Sequence, residues 1–599
     1  MACATLPIRT VTDPPMDRPG SDSLLEVKNL STRFATPFGE INAVEQASFT
    51  VRRGKTLCVV GESGSGKSVT ARSILGIVQR PGRVVSGEIL LHGSTLPFAR
   101  NGIVDIAALD PRGKDIRAIR GREISMIFQE PMSSLSPIHT IGYQIIEAIR
   151  LHRNVSRGEA RARAIEVLEQ VRMPRPAQSL QSYPFEFSGG MRQRAMTAMA
   201  LACEPKLLIA DEPTTALDVT TQAEILDLIK ELQARYGMSV MFITHDMGVV
   251  AEIAEEVVVM QLGRVVEQGT VDNIFHAPQN PYTQRLLASV LRLERRAHRG
   301  WSASGPRPAA AAAPLLTVHG LAMHYPPRAR LFRRATGETV RAVDGVGFTL
   351  DAGETLGIVG DSGSGKTTLA RCVMRVIKPT SGSIVFLSRA SGEVDLAKLP
   401  NPALKPYWHE IRMIFQDPFS SLNPRMTVFQ IIAEPLRNNG VAWGSELEDR
   451  VAGLMHKVGL SLDMMRRYPH AFSGGQRQRI GIARAIALDP LLIVADEATS
   501  ALDVSLRAQM LDLLLGLREE LGLSYLFISH DISVVRYMCD RVAVMHLGKI
   551  VEIGDTTEVC DAPRHPYTRS LISAVPRPDP RLRGTRTRIR YQSEVAAAT

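Results

Sequence analysis

Long apolar stretches are what this sequence lacks most: no run approaches the ~20 residues needed to cross a bilayer, and the opening segment MACATLPIRTVTDPP has no hydrophobic signal core. Neither a membrane span nor a cleaved export signal is therefore expected, and the chain should act on the cytoplasmic side. Cysteine is nearly as sparse. Cys3, Cys58, Cys203, Cys372, Cys539 and Cys560 fall without a CxxC pair or a metal-ligand spacing, which argues against zinc or a disulfide framework and for reduced thiols. Cys58 and Cys372 flank two Gly-rich loops on a strand and a helix, where small thiols serve as packing. Acidic residues are outnumbered, and the net charge is +10. The excess sits in LERRAHRGWSASGPRPAAAAAPLL, in PPRARLFRRATGE, and in a tail with Arg577, Arg581, Arg583, Arg586, Arg588 and Arg590. Such runs read first as solvated surface; they also suit anionic headgroups or nucleic acid, and charge selects neither.

What the chain does contain, it contains twice. GESGSGKS (Gly61 to Ser68) returns as GDSGSGKT (Gly360 to Thr367), each after a short apolar strand, TLCVVG or TLGIVG, and each leading into a helix. In that setting glycines let backbone N–H groups wrap phosphate oxygens, and the positive end of the helix adds to the attraction. The first candidate cradle comprises Gly61, Ser63, Gly64, Ser65, Gly66, Lys67, Ser68 and Val69. The second comprises Gly360, Ser362, Gly363, Ser364, Gly365, Lys366, Thr367 and Thr368. Lys67 and Lys366 are expected to reach the β and γ phosphates of ATP, and the hydroxyls of Ser68 and Thr367 to hold Mg²⁺.

Downstream, LLIADE and LLIVADE each end an apolar strand in two acids. Asp211 and Asp496 would lie near Mg²⁺ at the strand ends, where open α/β sheets bind ligands, while Glu212 and Glu497 could orient and polarise an attacking water. ITHD and ISHD then place His245 and His530 after further apolar strands, suited to the γ-phosphate. One acid pair could be a solvated turn and one His a structural residue. Repetition in the same order decides for the chemistry.

FSGGMRQR (Phe187 to Arg194) and FSGGQRQR (Phe472 to Arg479) resemble the signature of ATP-binding-cassette ATPases. The resemblance implies an α/β fold: two phosphate-loop domains, each with a parallel-sheet core, an antiparallel β subdomain and a helical signature subdomain. It also implies that Ser188, Gly189, Gly190, Ser473, Gly474 and Gly475 touch ATP. Gln129 and Gln416, in IFQEP and IFQDP, are implied in catalysis and as metal ligands, and ALD follows both acid pairs (Asp218, Asp503). Phe34 and Tyr325 stand where the family sets an aromatic ring against adenine, the alternative being strand-end core residues. Crossed sharing is implied too, in a head-to-tail pseudo-dimer where one domain's loop and the other's signature enclose each ATP.

Ser188 to Ser473, Asp211 to Asp496 and His245 to His530 are each offset by 285 residues, whereas Lys67 to Lys366 is offset by 299. The first domain therefore carries extra residues ahead of its signature, and FARNGIVDIAALDPRGKD, with turn residues and mixed polarity, is read as a surface insertion. The expected division is a leader at 1–22, a domain at 23–292, a Pro/Ala-rich linker at 293–314, a domain at 315–575 and a basic tail at 576–599, with both ends mobile.

HAPQNPYTQRLL and DAPRHPYTRSLI resemble the C-terminal motif of the dipeptide, oligopeptide and nickel importer ATPases, and FQEPMSSLSP and FQDPFSSLNP the same group's extended Q-loop. Taken alone, each APxxPYT is a Pro-fixed turn that caps a helix. The resemblance implies peptide import on the bacterial inner membrane, with two transmembrane permease subunits, an extracytoplasmic solute-binding protein and no nucleic acid. Some relatives hold an iron–sulfur cluster beyond PYT, but no cysteine lies between Tyr282 and Cys372 or after Cys560, so no cluster is expected. Ser136 stands opposite Asn423 and Glu130 opposite Asp417, which implies that the first Q-loop couples differently to its permease. The rival reading is a twin-cassette ATPase acting on ribosomes in translation; its long, charged helical arm has no counterpart in this linker.

Overall fold

A strand such as TLCVV, apolar at every position after its first threonine, is stable only where both faces are covered. In the computed structural model Thr56–Val60 and Thr355–Val359 lie inside six-stranded sheets. The structure describes residues 22–37, 39–130, 134–215, 217–298 (backbone alone for 293–298), 313–326, 339–417, 421–500, 502–585 and 587–591. The leader, residues 299–312 of the linker, most of the second basic run, Cys3 and Arg586 fall outside them.

In the first cassette the strand order is Arg264–Thr270, Glu256–Gln261, Thr56–Val60, Ser239–Ile243, Leu207–Asp211, Ile124–Ile127, parallel except at the Arg264–Thr270 edge. Alternate side chains divide between two cores. Leu57, Val59, Ile209 and Met241 pack toward a four-stranded antiparallel sheet built on Ser23–Thr36 and Gly39–Arg52. Cys58, Val60, Leu208 and Phe242 pack toward the helices Ile141–His152, Arg157–Gln170 and Gly189–Leu201. The second cassette repeats the order, and no core cluster mixes residues of both. Among the described residues no helix is long and apolar enough to cross a membrane. Cys58 and Cys372 are fully buried, in keeping with packing.

Three expectations need revision. The stretch read as a surface insertion is built in part into the sheet: Ile103–Asp105 is the edge strand of the antiparallel sheet, and Val104 and Ile106 are buried, while the hairpin before it and Asp110 to Asp115 after it stay at the surface. Its alternating polarity was a strand signal hidden among turn residues. The linker does not start at 293, because the helix Pro281–His298 runs through that point.

The described part of the basic tail, expected to be mobile, docks on the first cassette. Arg583 donates to the carbonyls of Ile253 (2.9 Å) and Ala254 (3.1 Å). Arg588, mostly buried, pairs with Asp227 at 2.6 Å and with Glu252, and donates to the Ala223 carbonyl at 2.7 Å. Ser570 Oγ donates to the Ile589 carbonyl, tying this part of the tail to the second cassette as well. Charge-assisted hydrogen bonds contribute about 1.5–3 kcal/mol each when buried, and solvent screening at these part-exposed arginines reduces each to a fraction of that. R583A/R588A should lower the opening free energy of the tail by about 2 kcal/mol, so that amide exchange across 577–591 speeds up roughly 30-fold while strands Leu207–Asp211 and Ser239–Ile243 keep their protection. Unchanged exchange in the tail would mean that these contacts do not hold it.

Candidate active site

The phosphate loops turn where only glycine fits. Gly61 has φ 150° and Gly66 φ 98°; a Cβ there would lie 2.2 Å from the Met260 carbonyl oxygen and 2.4 Å from that of Ala43. Gly360 and Gly365 meet Met545 and Ala342 in the same way. The helices that follow, Lys67–Ile74 and Lys366–Val373, have no side-chain N-cap, which leaves their first N–H groups for an anion. Lys67 Nζ donates to the carbonyls of Gly61 and Glu62, both at 2.8 Å, and Lys366 Nζ to those of Gly360 (2.7 Å) and Asp361 (2.8 Å). Burial pushes both ammonium groups below the usual lysine range, against the pull of nearby carboxylates. A buried cation held only by neutral oxygens, two carbonyls and, at 3.4 Å, the hydroxyl of Ser65 or Ser364, is poised for phosphate.

At the sheet's edge over each loop the paired acids take separate positions. Asp211 Oδ1 accepts from Ser68 Oγ at 2.9 Å, and Asp496 Oδ1 from Thr367 Oγ1 at 3.2 Å. Burial raises both aspartates above the usual carboxylate range. A desolvated carboxylate beside a hydroxyl gives the oxygen-only donor set that Mg²⁺ takes, and no group of three or more His, Cys, Asp or Glu suited to a metal occurs among the described residues. The donors thus fit an ion that keeps further ligands from phosphate and water.

Glu212 and Glu497 sit at φ 46° and 48°, a left-handed conformation that costs a non-glycine residue about 1–2 kcal/mol. Strain of this kind concentrates at functional sites. Glu212 is gripped by Gln129 Nε2 (2.9 Å), Thr215 Oγ1 (3.0 Å) and His245 Nδ1 (3.3 Å). Glu497 is held by Gln416 Nε2 (2.7 Å) and His530 Nδ1 (3.3 Å), while Ser500 Oγ turns to the Glu497 carbonyl instead. Burial would raise both glutamates, but the hydrogen bond and charge of the histidine outweigh it and hold each below the usual range. Within each cassette the sequence-predicted Lys, Ser or Thr, Asp, Glu, Gln and His therefore converge.

The signature residues stand apart from their own loops. Ser188 and Ser473 are exposed N-caps of the helices Gly189–Leu201 and Gly474–Ile486, and no atom lies within 4 Å of a Cβ built on Gly189 or Gly474. The Phe34 ring lies against Gly82, half-buried at the end of its strand, and Tyr325 ends its strand 38% exposed. Ser136 N–H donates to Gln144 Oε1, whereas Asn423 Oδ1 accepts from Arg425 N–H, so the two Q-loops are braced differently.

The cassettes meet at their loops. Asp218 caps helix Val219–Tyr236 of the first cassette, and its Oδ2 accepts from Ser362 N–H in the second phosphate loop at 3.3 Å. Reciprocally, Ser505, just after the cap Asp503, donates to Glu62 of the first loop at 2.5 Å. Each loop thus faces the turn after the other cassette's acids, an antiparallel, head-to-tail contact.

The profile of the ABC transporter family matches residues 44–215 and 343–500. This chain belongs to that family. A second profile, the C-terminal region of oligopeptide/dipeptide transporters, matches residues 266–315 and 551–598 of this ABC protein, behind each cassette. The chain is 49% identical over 586 residues to the glutathione import ATP-binding protein of Salmonella paratyphi A, covering 95% of this chain and 92% of that one. It is 48% identical over 583 residues to the protein of the same name from Escherichia coli K12, with 95% and 92% covered. A solved dimeric ATP-binding cassette in a post-hydrolysis state, bound to ADP and phosphate, aligns with 41% of this chain and 98% of its own at 26% identity, with a TM-score of 0.36. A transporter region behind both ABC cassettes favours import over the ribosome-bound alternative.

Sequence reasoning missed Thr215, which carries no motif of its own beyond its neighbours, and Tyr282 and Tyr567, whose hydroxyls reach the phosphate loops. The tyrosines were visible only as parts of the C-terminal importer motif and of its Pro-fixed turn, with no link to the loops. G66A combines a left-handed φ with a clash against fixed backbone, so ATP binding at that loop should fall at least about 100-fold; G237A, at φ 62° with open space, should cost only about 1–2 kcal/mol of stability and leave binding intact. Equilibrium dialysis and thermal unfolding of the two variants separate these effects.

Proposed function

We propose that the chain is the ATP-hydrolysing subunit of a peptide importer of the dipeptide, oligopeptide or glutathione type. It would act at the cytoplasmic face of a bacterial inner membrane with two permease subunits and an extracytoplasmic solute-binding protein. The observation that carries this reading is the oligopeptide/dipeptide transporter region behind both cassettes. The relatives named for glutathione import support it over nearly the whole chain.

The reciprocal loop contacts favour crossed sites, in which Lys67 shares its ATP with Ser473 and Lys366 with Ser188. The N–H groups of the loop would hold the phosphates from one side, and the signature serine with its two glycines, at a helix start, from the other. Those second contacts require ATP, so the closed form is selected by the nucleotide. Ser68, Asp211 and Gln129, and likewise Thr367, Asp496 and Gln416, would hold Mg²⁺, which when bound neutralises charge on the transferred phosphoryl. Glu212, kept ionised by His245, accepts a proton from the attacking water, and Glu497 does the same beside His530. The grip of Gln129 and Gln416 on these glutamates links the Q-loops, which lead into the helices at Ile141 and Val428, to the hydrolytic groups. Loss of the γ-phosphate releases the signature and lets the cassettes part, driving the permeases.

E212Q/E497Q should bind ATP like the parent while hydrolysing it at least about 100-fold more slowly, because the amide keeps the shape but is a poor base. Proteoliposomes holding the chain with its permeases should take up small peptides only with ATP and not with this double variant. Near-parental hydrolysis would remove both glutamates from the mechanism, and co-sedimentation with ribosomes without uptake would favour the translation reading.

A further inference from the structure

The tyrosines of the two PYT motifs do more than start a helix. Tyr282 and Tyr567 are buried, 5% and 3% exposed, with their rings in the helical-side core of their own cassettes. The Tyr282 hydroxyl accepts the N–H of Glu62 at 3.0 Å; the Tyr567 hydroxyl accepts that of Asp361 at 2.9 Å and donates to Asp361 Oδ2 at 2.7 Å. Glu62 and Asp361 follow the first glycine of each phosphate loop, and their carbonyls hold Lys67 and Lys366. Their side chains point across to the other cassette: Glu62 accepts from Ser505, and Asp361 lies beside Thr220 and Asp218 at the start of a helix there.

The helices that begin at these motifs also cross over. Pro281–His298 packs on Val504–Leu521 and Ile532–Met538 of the second cassette, and Pro566–Ser573 on Val219–Tyr236 of the first. Each C-terminal motif therefore touches its own phosphate loop at its first turn and the opposite cassette along its body.

We propose that Tyr282 and Tyr567 are positioning residues for ATP hydrolysis, each fixing the second residue of its phosphate loop so that loop and opposite cassette keep one register. This rests on the crossed-site ATPase reading above. Neither tyrosine touches the nucleotide; each acts through Glu62 or Asp361. A tyrosine suits the task because its rigid ring is anchored in a core while its hydroxyl can both accept and donate. Removing the hydroxyl leaves a backbone N–H in the loop without its partner and frees the loop to shift against the lysine.

The test uses the full-length chain with Y282F and Y567F, which keep the ring, and S505A, which reaches Glu62 from the other side. Turnover, KM for ATP and ATP affinity are measured beside hydrogen exchange of Pro281–His298. Y282F should lower kcat/KM at least about fivefold with that helix still protected. Y282F and S505A together should lose less than the product of their separate effects, because both act through Glu62, while Y567F with S505A should multiply. Parental kcat/KM in folded Y282F and Y567F would overturn the proposal. So would a loss matched by lost protection of the helix, which marks a structural role, or full multiplicativity of Y282F with S505A. A parent chain that neither binds nor hydrolyses ATP would instead remove the ATPase reading, and the proposal with it.

Discussion

The peptide after the first glycine of each phosphate loop is gripped from three directions. Its carbonyl accepts from the loop lysine, its N–H donates to a tyrosine of the same cassette, and its side chain meets a helix start of the other. A backbone segment held this way cannot shift alone. Loop, C-terminal helix and opposing cassette must move together, which is what two ATP sites shared between cassettes require. The tail adds a further tie, since Arg583 and Arg588 lie on the first cassette while Ser570 holds Ile589 to the second.

Both halves retain lysine, paired acids, glutamine and histidine in the same geometry, and they differ in how the details are braced. Thr215 donates to the Glu212 carboxylate where Ser500 donates to a carbonyl, and Glu62 reaches across with a longer side chain than Asp361. These differences lie around the proposed reacting groups, where they would tune the two sites without silencing either.

The phosphate loops, acid pairs and histidines were legible in the sequence because their geometry is local: an apolar strand, a turn that needs glycine and a helix start lie within a dozen residues. The sheet followed from the same strands, each apolar on both faces. What could not be read depended on partners far along the chain. Arg588 looked like solvated surface, yet its carboxylates are Asp227 and Glu252 in the other cassette. Tyr282 looked like part of a Pro-fixed turn, which it is, but its hydroxyl partner lies 220 residues earlier. The edge strand Ile103–Asp105 is only three residues long, too short for its alternation to outweigh the turn residues beside it.

The central claim is that each ATP belongs to both cassettes, and a structure of the full chain with a non-hydrolysable ATP analogue and Mg²⁺ tests it most directly. The account predicts that the phosphates beside Lys67 lie within hydrogen-bond distance of Ser473 and the N–H groups of Gly474 and Gly475, and those beside Lys366 within reach of Ser188. Phosphates beside Lys67 contacted by Ser188 of the same cassette, or by neither signature with the analogue fully bound, would contradict it.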